Sequence, residues 1–393
     1  MKRCIALALS VCLLLFGCAD SSSQQGSQAD RRVTVEGTSF KVEGKELWFN
    51  GVNTPWDNWN DFGGEYDAQF WDEHFAQLHD KGINASRVWI SCNGEVGVKI
   101  KEDGSVTGLK DKMWEDLDSF FQIAKKHEIY IMATLMSFDH CKDSNSKHQR
   151  WRTMLQSEEM SQTYVDNYVI PFVKRYDDND YLFSVDLCNE PDWIVENPEC
   201  GQLQWQDLSR FFAQCAAGVH QNSDVLVTVG MGMVKYNSDN YSGNYVSDKV
   251  LKGFAGEDAF LDYYSPHFYE WQVANWGNAF EKSPKDFGMP VDRPVVLGEC
   301  PAEGLKNAKK PLTQCTDSAY SNGWQGVFAW TSNGVDDCGG FDQVSASAEQ
   351  MYQKIPELIF PAGKSADIRN ARSRSPGVWR TFGDMVQHFC GID

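Results

Sequence analysis

A chain of 393 residues with a formal net charge of −19 repels nucleic acid and the anionic face of a membrane, so neither is expected as an electrostatic partner. The length suits two average domains or one large α/β barrel. Aromatic residues make up 13% and include 14 Trp, a surplus that serves either core packing or flat faces on which a ligand ring can stack.

Residues 1–18 read as a signal segment, with Lys2 and Arg3 before an apolar stretch too short to span a bilayer. It ends in Leu15-Phe16-Gly17-Cys18, which resembles a bacterial lipobox and implies lipidation at Cys18. Phe16 is bulkier than the usual small residue there, so ordinary cleavage nearby stays open. Residues 19–32 are polar, with little to bury, and are expected to be a flexible tether. Export or anchoring at the bacterial envelope follows, and export permits disulfides. Nine cysteines come after Cys18, so at least one is left over; Cys300–Cys315, and Cys188 or Cys200 with a neighbour, are candidate bridges. No CxxC pair or CxxH cluster is present to hold zinc.

From residue 33 onward the chain is expected to form one domain, to 393. Residues 33–49 alternate around Glu43-Gly44-Lys45 and read as a small hairpin. Apolar strands are expected at 47–53, 85–90, 129–135, 182–187, 225–229, 263–267, 295–298 and 326–330. Helical periodicity lies between most of them, at 68–79, 114–127, 160–176, 205–219 and 346–355. Eight strands alternating with helices predict a (β/α)8 barrel. No glycine-rich phosphate loop follows a strand and no EF-hand spacing occurs, so neither cofactor nor metal is expected. Residues 364–376 read as a loop and 378–389 as a last helix packed on the barrel.

In such a barrel the functional side chains gather at the carboxyl ends of the strands. Those ends carry Arg87 on the second, His140 beyond the third, and Asn189 and Glu190 on the fourth with Trp193 just after. His267 and Tyr269 end the sixth with Trp271 following, Glu299 ends the seventh and Trp330 the eighth. Singly, each has an ordinary explanation: Asn189-Glu190-Pro191 is a turn that ends a strand, Arg87 pairs on the surface, His267 is a satisfied core histidine, and Trp330 is packing. Together they bring a carboxylate pair, an amide and aromatic faces to one rim, which suits acid/base work on a sugar. Such work needs one carboxyl protonated and the other ionised. Arg87 and a Tyr hydroxyl favour the charged form of Glu299, whereas Glu190 has no basic neighbour in sequence.

The ordered set Arg87, His140, Asn189-Glu190-Pro191, His267-x-Tyr269, Glu299 and Trp330 resembles glycoside hydrolase family 5 over roughly residues 47–330. The resemblance implies a retaining mechanism with Glu190 as general acid/base and Glu299 as nucleophile. It further implies that Asn189 binds the sugar 2-hydroxyl, Arg87 and Tyr269 hold the nucleophile, and Trp330 floors the cleaved subsite. His140, His267, Trp56, Trp193 and Trp271 are expected beside the substrate, although a core-capping loop also explains Trp56 and Trp59. The stretch from Gly51 to Gly63, then Arg87-Val88-Trp89, Asn93-Gly94-Glu95 and Val106-Thr107-Gly108-Leu109, resembles one β-mannanase subgroup. The chain departs from it in Thr54-Pro55, Cys92 and Cys141. The implied activity is endo-hydrolysis of mannan, glucomannan or galactomannan by a monomer without cofactor. The alternatives are a β-1,4-glucanase, an exo-acting mannosidase, and a glycan-binding lipoprotein without turnover.

Overall fold

Eight short strands, buried on both faces, form the centre of the molecule. The computed structural model describes residues 31–359 apart from Ser242. The expected signal segment with Cys18, the loop at 364–376, the helix at 378–389 and Cys390 lie outside the described residues. The strands are β1 (Phe49–Asn53), β2 (Ala85–Trp89), β3 (Tyr130–Thr134), β4 (Leu182–Asn189), β5 (Leu226–Met231), β6 (Ser265–Pro266), β7 (Leu297–Pro301) and β8 (Gly326–Trp330). They pair in parallel in chain order, and β8 pairs back onto β1. Bridges from Tyr264 to Val295 and from His267 to Glu299 join β6 to β7 and close the barrel.

Helices cover the outside with one apolar stripe each. In Ala68–Asp80 the buried Trp71, Phe75 and Leu78 recur at helical spacing, and the Asp67 carboxylate accepts the Gln69 and Phe70 N–H groups at the open end. The predicted helix at 160–176 is three joined pieces, Glu158–Tyr164, a π turn at Val165–Val169, and Ile170–Arg175. The wider turn falls just ahead of Pro171, which has no N–H to continue a regular ladder. Helices His148–Gln156, Asp192–Glu196, Asp248–Ala255 and Leu312–Ser321 were not anticipated by the periodicity.

Three expectations need correction. The amino-terminal hairpin is a three-stranded antiparallel meander, Thr34–Glu36, Ser39–Val42 and Lys45–Leu47, because Gly37 and Gly44, both at positive φ, make two tight turns rather than one. Its Phe40 is buried against Phe49 and Tyr263 at ring distances of 4.8 and 5.2 Å, plugging the amino-terminal mouth of the barrel. The tether does not reach residue 32: Arg31 Nη1 bonds Glu128 Oε1 at 2.6 Å and Arg32 reaches Asp177. No disulfide joins the described cysteines. Cys92, Cys141, Cys188, Cys200, Cys215, Cys300 and Cys315 are buried free thiols and Cys338 is a partly exposed one, so the Cys300–Cys315 bridge and those of Cys188 or Cys200 are not formed.

Candidate active site

The site is built on inward-facing strand positions. Along β2 the period of two turns Arg87 into the barrel, where it is fully buried. Along β4 the same period turns Ser184 and Asp186 inward, and an irregularity in the pairing with β5 after Asp186 then presents Asn189 to the mouth. Asp186 Oδ2 accepts from Arg87 Nε at 2.9 Å, from Nη2 at 2.7 Å and from Thr134 Oγ1 at 3.0 Å, while Oδ1 accepts from the Gly230 N–H. The remaining guanidinium hydrogens go to Asn189 Oδ1 at 2.7 Å, Asn53 Oδ1 at 3.1 Å and Glu299 Oε1 at 2.6 Å. A charge this deep is tolerable only because every donor direction is filled; removing one partner of such a pair costs about 3–5 kcal/mol.

Glu299 sits within β7 and is held from both sides. Arg87 takes Oε1, and the Tyr269 hydroxyl donates to Oε2 at 2.8 Å. Burial pushes its pKa up, and His267, Arg87 and the Tyr269 O–H pull it back. Glu190 follows the end of β4 with φ at 47°, a left-handed backbone that turns the carboxyl toward the cleft, and its N–H is fixed on Gly230 O at 2.7 Å. Burial lifts Glu190 to about 7, opposed by the field of Arg87 and a hydrogen bond from Trp193. Of the two carboxyls, Glu299 alone is in direct contact with the guanidinium, so it is the more acidic member. His267 Nδ1 lies 3.0 Å from Glu190 Oε1 and 3.4 Å from Glu299 Oε2. Burial lowers its pKa to about 4, so the ring is neutral; because Nε2 has no partner and Nδ1 faces both carboxyls, its one hydrogen is assigned to Nδ1.

Above these groups opens a cleft of about 560 Å³, lined among others by Trp56, Trp59, Trp89, Trp193, Trp271 and Trp330 together with Asn189, Glu190, Tyr269 and Glu299. Trp330 packs against Trp89 and Trp56 with ring centroids 5.9 and 6.0 Å apart. Trp59 and Trp271 are 43% and 49% exposed, which leaves part of each ring open to a ligand although Trp59 packs edge to face with Trp56 and Trp271 with Trp276. Two predicted side chains are not on the wall. His140 is fully buried: its Nδ1 accepts the Ser137 N–H at 3.2 Å, its Nε2 meets Ser91 Oγ, and its ring packs on Trp151. It caps a short turn behind the cleft. His267 lies beneath the carboxyls, with Nδ1 turned toward both and no part of its ring on the cleft wall.

The sequence reading missed Asp186, the main partner of Arg87. A lone Asp inside an otherwise apolar buried strand was the available signal, since such a charge demands a counterion. It also missed Phe138, Asp139 and Lys142 on the loop after β3, and Asp336 and Cys338 after β8, all of which line the cleft. Asp139 and Lys142 pair at 2.7 Å on that wall.

No family model matches the chain. It is 25% identical over 352 residues to a mannan endo-1,4-beta-mannosidase from Mytilus edulis, which covers 82% of this chain and 93% of that protein. Among solved structures it superposes on a beta-1,4-mannanase from the sea hare Aplysia kurodai with a TM-score of 0.74 and 24% identity, over 84% of this chain and 99% of that one. On a glycoside hydrolase family 5 mannosidase from Rhizomucor miehei the TM-score is 0.53 with 13% identity, over 84% and 100% of the two chains. With its eight parallel strands closed into a barrel and wrapped by helices, the chain has a glycoside hydrolase family 5 β-mannanase-like fold.

Proposed function

We propose that the protein is a retaining endo-β-1,4-mannanase in which Glu190 is the general acid/base and Glu299 the nucleophile. The observation that carries this reading is the spacing of the two carboxyls: an oxygen of each lies within 4.8 Å of the other. Retaining glycosidases hold their pair about 5–5.5 Å apart and inverting ones about 6.5–9.5 Å, the extra space housing the attacking water. The mussel and sea-hare relatives, both mannan-cleaving by name, support the substrate class.

The chemistry follows from the environments. Glu190, protonated up to about pH 7, gives its proton to the glycosidic oxygen while ionised Glu299 attacks the anomeric carbon. Charge left on Glu190 is met by the His267 Nδ1–H at 3.0 Å. In the second step Glu190 takes a proton from water, which releases the sugar from Glu299 with configuration retained. Asn189 has committed its carbonyl oxygen to Arg87, so its amide hydrogens are left to donate to a sugar hydroxyl. Trp330 forms a floor on which the ring stacks. We further propose export through residues 1–18 with an anchor at Cys18, resting on the Leu15-Phe16-Gly17-Cys18 pattern.

The test uses mannohexaose, an activated aryl mannoside and two variants. Glu299→Ala should lose turnover and regain it with azide, giving inverted product. Glu190→Ala should keep the first step on the aryl substrate and be rescued by azide with retention. Azide rescue of the same stereochemistry in both variants overturns the assignment. Release of sugar from carboxymethyl-cellulose rather than mannan overturns the substrate class.

A further inference from the structure

The three groups at the base of the cleft form a donor set as well as an acid/base pair. Glu190, His267 and Glu299 each bring one ligand-capable atom, all within 4.8 Å of one another. The two edges that meet at His267 Nδ1 measure 3.0 and 3.4 Å. Ligands at about 2.0–2.2 Å on a tetrahedral zinc are separated by about 3.3–3.6 Å, so these edges nearly match. The third edge closes by rotation of Glu190, the carboxyl that Arg87 does not grip. A fourth position faces the cleft and suits a water.

One more observation supports a cation here. The neutral His267 ring can free its Nδ1 lone pair by moving its hydrogen to Nε2, at the cost of a buried N–H without an acceptor that the metal bond must outweigh. Once Glu190 ionises, three carboxylates (Glu190, Glu299 and Asp186) face the single Arg87 guanidinium, and the surplus is two negative charges. A divalent ion cancels it. The mixed imidazole–carboxylate set favours Zn²⁺ over Mg²⁺ or Ca²⁺, which want oxygen ligands in larger number.

We propose that Glu190, His267 and Glu299 bind a divalent transition-metal ion such as Zn²⁺, which blocks the cleft by occupying both carboxylates. The blockade rests on the proposed roles of the two carboxyls; the binding does not. Protons compete for the site because Glu190 must be ionised. The groups that set its ionisation are Arg87, Trp193, Asp139 and Lys142 around it, Tyr269 and Glu299 across the cleft, His267 below, and Asp192 beyond Gly232.

Calorimetric titration of chelator-stripped protein with ZnCl₂ tests this without turnover. The wild type should show one site per chain that Glu190→Gln and His267→Asn both lack, with near-ultraviolet circular dichroism reporting their folding. With Glu190 half ionised at about pH 7, affinity should fall about tenfold from pH 8 to pH 6, and MgCl₂ should give no heat at that site. If both variants bind as much Zn²⁺ as tightly as the wild type, the ions sit on surface carboxylates and the proposal is overturned. Mannan hydrolysis that persists at Zn²⁺ concentrations saturating the protein overturns it too. Zn²⁺ bound at the site in a protein that cleaves no mannan sinks the hydrolase reading and leaves the metal site standing.

Discussion

Replacing Tyr269 by Phe removes one hydroxyl and leaves the ring in place. That hydroxyl donates to Glu299 Oε2 at 2.8 Å, while Arg87 keeps Oε1. A hydrogen bond to a charged group contributes about 1.5–3 kcal/mol, which corresponds to a rise of about 1–2 units in the Glu299 pKa. Tyr269 is half-buried at the rim, so water replaces part of the lost bond and the lower end applies. The sign is fixed by chemistry. Glu299 attacks only when ionised, so the acid limb of kcat/KM moves to higher pH. The alkaline limb, set by Glu190 near pH 7, stays where it is, and the bell narrows. Stability changes with the same sign. Burial already raises Glu299 in the folded state, so stability is full below the unfolded pKa and is lost as pH rises from there through the higher folded one. The variant should therefore lose most stability near neutrality and least in acid, where Glu299 is protonated in both proteins. The assay is a pH series of kcat/KM on an aryl mannoside, paired with thermal melts. An acid limb that coincides with that of the wild type, even with a reduced kcat, refutes the grip of Tyr269 on Glu299.

Three further outcomes are expected. Trp330→Ala should cost about 1–3 kcal/mol in kcat/KM on mannohexaose through loss of a stacking face; a folded variant with unchanged turnover removes Trp330 from the site. Gly230→Ala should cost about 1–3 kcal/mol of stability in a denaturant melt and also impair turnover, since its Cβ would stand 2.9 Å from both Arg87 Nη2 and His267 Nε2. Cys18→Ala should move the protein from the membrane fraction to the soluble one, and a wild type already wholly soluble dismisses the anchor.

The barrel was legible because its strands are buried on both faces and so read as short apolar runs between breakers. Two were misjudged: β7 starts and ends later than the expected 295–298, at Leu297–Pro301, and β6 shrinks to Ser265–Pro266 because Pro266 has no N–H for the ladder, with isolated bridges at Tyr264 and His267 doing the rest of the pairing. Helix Leu312–Ser321 escaped notice because its Thr, Cys and Ser are poor helix formers; packing of Leu312, Cys315, Thr316 and Ala319 stabilises it instead. At the site, sequence order placed residues on the rim but not their rotation about the strand axis. His140 therefore read as a wall residue, although Ser137 turns it inward as a cap. Asp186 is marked only by being a lone charge in an apolar strand, and its partner Arg87 comes from another strand; Asp139 and Lys142 pair locally at i,i+3, but what puts them on the cleft wall is the packing of their loop against other strands.

The meander that plugs the barrel floor also decides how the molecule faces its surroundings. Arg31 is moored to Glu128 and Tyr181 beside the first residues of β3 and β4, at the pole opposite the cleft. The meander is thereby held away from the aromatic groove, so a long ligand can lie across Trp59 and Trp271 without meeting it.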